Sequence, residues 1–214
     1  MFLKSYLRNI LPVCITCLIT NGLIPEVRGE QKVFAKVEPN AQVINNSAEI
    51  YDPVGQKFTP TAGTMTVHRQ AQTAVLLPNG TVLITGGYNG ISLVATEVYD
   101  PLSGTFKVTE STTTTSTTPP ITTTTVTTLD TARTKHTATL LQDGRVFIAG
   151  GFDGSSYLNT AELYSPAAET FKAISNSLTA ARGFHTATLL PDGTVLLVGG
   201  YDGANYLLSA EIFT

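Results

Sequence analysis

HTATLLQDGRVFIAGGFDG, residues 136–154, occurs three times in this chain in close variants. It returns as HTATLLPDGTVLLVGGYDG at 185–203, and as QTAVLLPNGTVLITGGYNG at 72–90, where glutamine takes the place of histidine. Each copy opens with a short alternating segment and then turns at Asn79-Gly80, Asp143-Gly144 or Asp192-Gly193. Such pairs suit tight hairpins, because Gly and Asn or Asp tolerate the positive φ that these turns need. The next segment, such as Val195–Val198, is almost continuously apolar, as in a strand buried on both faces. It ends in a glycine pair, 86/87, 150/151 or 199/200. Paired glycines at a strand end mark a sharp bend or a close backbone approach. A phosphate cradle would need a helix behind them, and no helical pattern follows.

Working outward, a second motif repeats between these copies: SAEIYDP from Ser47, ATEVYDP from Ala95, TAELYSP from Thr160 and a terminal SAEIFT from Ser209. Short segments around Phe58, Phe106 and Phe171 follow the first three. Each unit therefore reads as four short antiparallel strands, a to d, which is the content of one propeller blade. The glutamates at 49, 97, 162 and 211 recur at intervals of 48, 65 and 49 residues, so the middle interval carries an insertion. The expected fold class is all-β. The units supply two, four, four and three strands, about three to four blades. Residues 33–44 (VFAKVEPNAQVI) would add a degenerate a–b hairpin and give four blades short of one strand; otherwise the chain is an open arc with free sheet edges, which invite self-association. The reading adopted is the open, incomplete propeller.

Glycine pairs after an apolar strand, Glu-x-Tyr-Asp about a dozen residues on and an aromatic before the next arginine resemble the kelch repeat, in the variant of bacterial kelch proteins and of the central domain of galactose-oxidase-like proteins. The resemblance covers about residues 47–214. It implies a kelch-type β-propeller. A departure is that the family's usual strand-d tryptophan is replaced by Phe58, Phe106 and Phe171. The copper chemistry of galactose-oxidase-like enzymes uses a Tyr–Cys cross-link, and Cys14 and Cys17, the only cysteines, lie near the N-terminus.

That N-terminus has Lys4 and Arg8, an apolar stretch from about 10 to 24 and small-residue spacing at Val27 and Gly29. This predicts a signal peptide over 1–29 and a secreted, extracellular or cell-envelope location. An uncleaved anchor or a lipidated cysteine is the other reading. The apolar stretch is short and interrupted by Pro12, so no membrane insertion of the mature chain is expected. Cys14 and Cys17 form a CxxC with no second pair to complete a zinc site, and read as apolar filler. Residues 30–46 follow as an N-terminal segment, and 47–214 as the repeats. Removing Lys4, Arg8, Arg28 and Glu26 takes the formal net charge from −3 to about −5. That balance offers no footprint for nucleic acid.

Residues 109–128 contain 13 threonines and Pro119-Pro120. They read as a disordered or stalk-like loop, projecting beside the b–c loops because d–a and b–c connections leave a blade on the same side. That side is the candidate binding surface for a protein or glycan. Its candidate residues are Asn89, Asp153, Asp202 and the equivalent aromatics Tyr157 and Tyr206, with Leu93 or Val94 in their slot in the first copy. The other reading of the two tyrosines is packing onto a neighbouring blade. Residues copied into every blade serve what every blade needs, so a structural role is expected for Gly86, Gly87, Gly150, Gly151, Gly199 and Gly200. Arg69, Arg133 and Arg182 are expected to pair with Glu97, Glu162 and Glu211. His136 and His185 are repeat positions too, and with His68 they show no convergence on a metal. No catalytic motif, cofactor or metal is expected. The functional reading is a binding or scaffold module, the alternative being a fragment or subunit of a larger galactose-oxidase-like propeller enzyme or adhesin.

Overall fold

The hairpin dipeptides, and the Asp at the end of the first two strands c, set the strand lengths. In a computed structural model, which describes residues 46–115, 121–175 and 178–214, the Asn79, Asp143 and Asp192 carboxyl or amide oxygens accept the backbone N–H two residues on. Asp52 and Asp100 do the same at the c–d turns, closing them after four or five strand residues. These Asx turns stop each strand and reverse the chain, so every unit becomes an antiparallel meander. The expected signal peptide and the 33–44 hairpin lie outside the described residues.

The strands are β1 (Glu49–Asp52), β2 (Lys57–Pro60), β3 (Thr73–Leu76), β4 (Val82–Thr85), β5 (Thr96–Asp100), β6 (Thr105–Val108), β7 (Glu110–Thr115), β8 (Ile121–Val126), β9 (Thr137–Leu140), β10 (Val146–Ala149), β11 (Ala161–Ser165), β12 (Thr170–Ala173), β13 (Thr186–Leu189), β14 (Val195–Val198) and β15 (Ala210–Phe213). β3–β6 form a four-stranded sheet in sequence order, here blade 1; β9–β12 form blade 2, and β13–β15 a three-stranded blade 3. β1 and β2 pair with each other as the outer strands of a preceding unit. Among the described residues every regular element is a strand and no sheet closes on itself, so the fold is all-β, an open propeller arc. Among the described residues no helix is long and apolar enough to cross a membrane.

The threonine-rich insertion departs from the loop expected of it. β7 and β8 pair in register from Glu110↔Val126 to Thr115↔Ile121, making a two-stranded ribbon. Threonine is β-branched and favours extended backbone on a pleated surface, and this outweighs the lack of apolar alternation. The ribbon's base is tied to blade 1: the Thr109 N–H donates to the Thr96 carbonyl, and the Thr96 and Thr109 side chains share the Thr127 carbonyl.

Alternation along the strands decides what lies between blades. In β10, Val146 and Ile148 point back to blade 1, where they join Leu83, Val98 and the linker residue Leu129. Phe147 and Ala149 point forward and join Val195, Leu197 and the linker residue Leu178. All four β10 side chains are buried, as a strand packed on both faces requires. β14 has the same apolar run, but its forward-facing Val198 is exposed. The strand-c aromatics point back as well. Tyr164 tilts against Phe171 of its own blade at 4.7 Å, and Phe213 stacks on Phe147 of blade 2 at 4.1 Å. Phenylalanine in strand d thus completes a Tyr–Phe pair within the sheet.

Candidate functional site

Each strand a is preceded by the same quartet, Arg69-Gln-Ala-Gln72, Arg133-Thr-Lys-His136 and Arg182-Gly-Phe-His185. The first and last members hold the blades together, while the third faces the end that carries the b–c loops.

The arginines are fully buried and pair within their own blade. Arg69, Arg133 and Arg182 Nη2 lie 2.5, 2.7 and 2.5 Å from Glu97, Glu162 and Glu211 Oε1. Each Nη1 also donates to the carbonyl of the first paired glycine, Gly86, Gly150 or Gly199. The glutamates accept two further backbone N–H groups from the incoming linker: Thr66 and Val67, Asp130 and Thr131, Thr179 and Ala180. Burial lowers the affinity of Arg69 for its proton, and Glu97 opposes that effect. Desolvated charges are tolerated because each guanidinium is matched by a carboxylate and by carbonyls at its Nη atoms, while the three buried Nε–H groups have no hydrogen-bond partner among the described residues. The clamp therefore fixes strand c, the b–c bend and the linker at one point.

The arginine carbonyl reaches the previous blade. Gly87 N–H donates to Arg133 O at 2.9 Å, and Gly151 N–H to Arg182 O at 2.8 Å. A Cβ on Gly86 or Gly150 would stand 2.3 Å from that same carbonyl, and both glycines are left-handed, at φ 59° and 61°. The glycine pair is thus a seat for the next blade's backbone. Beside it, His136 Nε2 lies 3.0 Å from the Thr73 and Thr85 hydroxyls of blade 1, and His185 Nε2 lies 2.9 Å from Thr137 of blade 2.

Both imidazoles titrate low, His136 at about 3 and His185 at about 4, through burial first and the neighbouring Arg133 or Arg182 second. The unfolded chain takes up these protons near the ordinary value of 6.5, so it binds more protons than the folded chain below that pH. Their contribution is fully present above pH 6.5 and is lost as pH falls toward 4, at roughly 1 kcal/mol per pH unit for each ring. Thermal melts should therefore drop below pH 6.5. In the double variant His136→Gln/His185→Gln, with the residue that blade 1 uses in this slot, the slope between pH 6.5 and 4.5 should flatten; an unaltered slope would refute the assignment.

The candidate b–c loop residues separate into different roles. Asp153 Oδ1 accepts the N–H of Ser155 and Ser156, and Asp202 Oδ1 accepts those of Ala204 and Asn205, so both carboxylates brace their own turns. Those backbone bonds hold the Asp202 carboxyl below its usual range. Asn89 is exposed in the first loop, with its N–H on the Ile91 carbonyl. Tyr157 lies edge-on to Tyr201 at 5.2 Å and covers Gly183 and Gly203 of blade 3. Tyr206 occupies the same slot in blade 3 and is 85% exposed. Blade 1 fills the slot with Ser92, not Leu93 or Val94: the bridges Tyr88↔Ser92, Phe152↔Tyr157 and Tyr201↔Tyr206 are equivalent, because the first loop is one residue shorter. Ser92 Oγ reaches the Phe152 carbonyl of blade 2 at 3.0 Å.

The third quartet position went unnoticed in the sequence. Ala71, Lys135 and Phe184 all have left-handed backbone, φ 52°, 59° and 58°, and succeed one another through Lys135 N–H on Ala71 O and Phe184 N–H on Lys135 O. Lys135 Nζ stands 4.7 Å from the Phe184 ring centre and 5.2 Å from that of Phe152. With Tyr157, Tyr201 and Tyr206 they make a run of rings across blades 2 and 3. In the sequence only the arginine two positions earlier repeats, while the second and third positions both vary. Among the described residues, no three His, Cys, Asp or Glu side chains could hold a metal ion together.

One blade's worth of this arrangement, residues 133–177, runs from the clamp arginine to beyond β12 and matches the kelch motif. Residues 133–177 are a kelch repeat. Blades 1 and 3 carry the same clamp, glycine seat and strand order outside the matched residues. Kelch repeats build β-propeller scaffolds that serve protein binding. No curated protein matches this sequence.

Proposed function

We propose that this protein is a secreted or cell-envelope binding module that takes a protein or glycan on the end of the arc carrying the b–c loops, with no catalysis of its own. The N-terminal signal-like sequence supports the location. The observation that carries the binding reading is the third quartet position. A left-handed backbone costs a non-glycine residue about 1 kcal/mol or more, so glycine would meet the fold's need most cheaply. Two blades instead place Lys135 and a Phe184 that is 63% exposed there. A cation among ring faces presents flat apolar area and one positive charge, which suits sugar rings as well as peptide side chains. The repeated polar residues are already committed to clamps and turns, leaving this end as the variable surface.

Screening the chain against glycan and peptide arrays, beside the variant Lys135→Ala/Phe184→Ala, tests this. A ligand held by the chain should bind the variant at least about tenfold more weakly, as for removal of a central anchor, with no change in melting temperature. Equal binding by both would refute the assignment.

A further inference from the structure

We infer that Asn79 is the acceptor of an N-linked glycan, an inference that rests on the exported location proposed above. Asn79-Gly80-Thr81 is the sequence such an acceptor needs, an asparagine with a hydroxyl residue two positions on and no proline between them. Of the asparagines in the chain, Asn45 and Asn79 alone satisfy it, and Asn45 lies outside the described residues. Asn79 stands in the turn of the β3–β4 hairpin and is exposed. Its Oδ1 accepts the Thr81 N–H at 3.1 Å and the Thr81 hydroxyl at 2.8 Å, so the two side chains that the modification requires are held against each other. The amide nitrogen, Nδ2, has no hydrogen-bond partner among the described residues. Gly80 leaves room beside it: nothing lies within 4 Å of where a Cβ on that residue would stand.

The turn itself does not call for an amide. Asp143 and Asp192 close the same hairpin in blades 2 and 3, where a carboxylate oxygen accepts the Arg145 or Thr194 N–H at 3.0 Å. A carboxylate has no nitrogen to carry a sugar, and of the three turns only that of blade 1 combines an amide with a hydroxyl residue two positions on. The donor is an oligosaccharide on a polyprenyl diphosphate. Nδ2 attacks C1 of its first sugar, the N–C bond forms, the C1–O bond to the diphosphate breaks, and the polyprenyl diphosphate leaves with the electron pair while the amide gives up one proton. Oδ1 takes no part, so the bonds that close the turn survive. The a–b turn follows Leu76 and precedes Val82, whereas the b–c loop leaves β4 beyond Thr85 at the other end of the pair. The glycan is therefore carried at the end of blade 1 opposite to the b–c loops, and it adds hydrated bulk there while leaving the loop end clear.

The experiment expresses the full chain with Asn45→Gln in eukaryotic secretory cells, once with its own N-terminus and once with an added export signal ahead of Met1. Intact mass and peptide mapping read position 79 before and after a glycosidase that removes N-linked sugars and leaves a carboxylate. The form with the added signal should carry an oligosaccharide on Asn79. That sugar should be lost entirely in Asn79→Asp and in Thr81→Arg, which copy the turn of blade 2 and should melt as the deglycosylated parent does. A bare Asn79 in the added-signal form overturns the inference, as does a sugar that persists in Thr81→Arg. Sugar on the added-signal form with a bare natural form would support the acceptor and refute the exported location; sugar on both forms would support both.

Discussion

Replacing Arg133 by methionine should lower the melting temperature by about 10 °C. Methionine fills much of the same space but leaves Glu162 buried, with only the Asp130 and Thr131 N–H groups to solvate it. Removing one partner of a buried ion pair costs about 3–5 kcal/mol, and in a domain of this size each kcal/mol moves the melt by about 2–4 °C. The damage is wider than one contact, because Arg133 also donates to the Gly150 and Thr160 carbonyls and so holds the b–c bend. The companion variant Arg133→Met/Glu162→Leu should recover part of the loss, since an apolar pair leaves no stranded charge. A single variant that melts like the parent would show that the clamp contributes nothing.

The second large effect is expected at Gly150→Ala. The added methyl group would stand 2.3 Å from the Arg182 carbonyl and 2.9 Å from the His185 ring, at a residue with φ 61°. Backbone cannot yield there without opening the joint between blades 2 and 3, so the Gly151–Arg182 hydrogen bond and the Phe147–Phe213 stack would be lost with it. The left-handed conformation alone costs about 1–2 kcal/mol; the displaced joint should bring the total to at least about 4 kcal/mol, in the range of disrupted cores. Thermal melts and limited proteolysis would read this as a less stable chain whose third blade is cleaved first.

Much of this was legible because a repeat is read three times over. The Asn-Gly and Asp-Gly turns, the apolar run of strand b and the Glu-x-Tyr-Asp motif each point to one local structure, and their order gives the meander. The ribbon at 110–126 was not legible: a threonine run carries no alternation, and its strands are set by pairing with each other. Nor was the Ser92 slot, because one deleted loop residue moves the side chain that reaches the next blade. At the candidate surface, sequence pointed to the b–c loops and to Asp153 and Asp202, whose oxygens are engaged by their own turns. Lys135 and Phe184 were hidden because a left-handed backbone at lysine or phenylalanine has no signature in a single sequence. What showed was only variation after a constant arginine.

All of this rests on the glycine seat being the joint between blades, filled twice and, among the described residues, open once. The same alanine substitution at Gly150 and at Gly199, melted side by side in dilute solution, tests that most directly. Both residues are left-handed, at φ 61° and 66°, so the conformational cost is shared; only Gly150 has a carbonyl in the way. An open third seat predicts a small drop for Gly199→Ala, about 1–2 kcal/mol, and a much larger one for Gly150→Ala. Equal losses at the two positions would contradict it, since they would mean that the third seat is filled like the others or that no blade sits in the second.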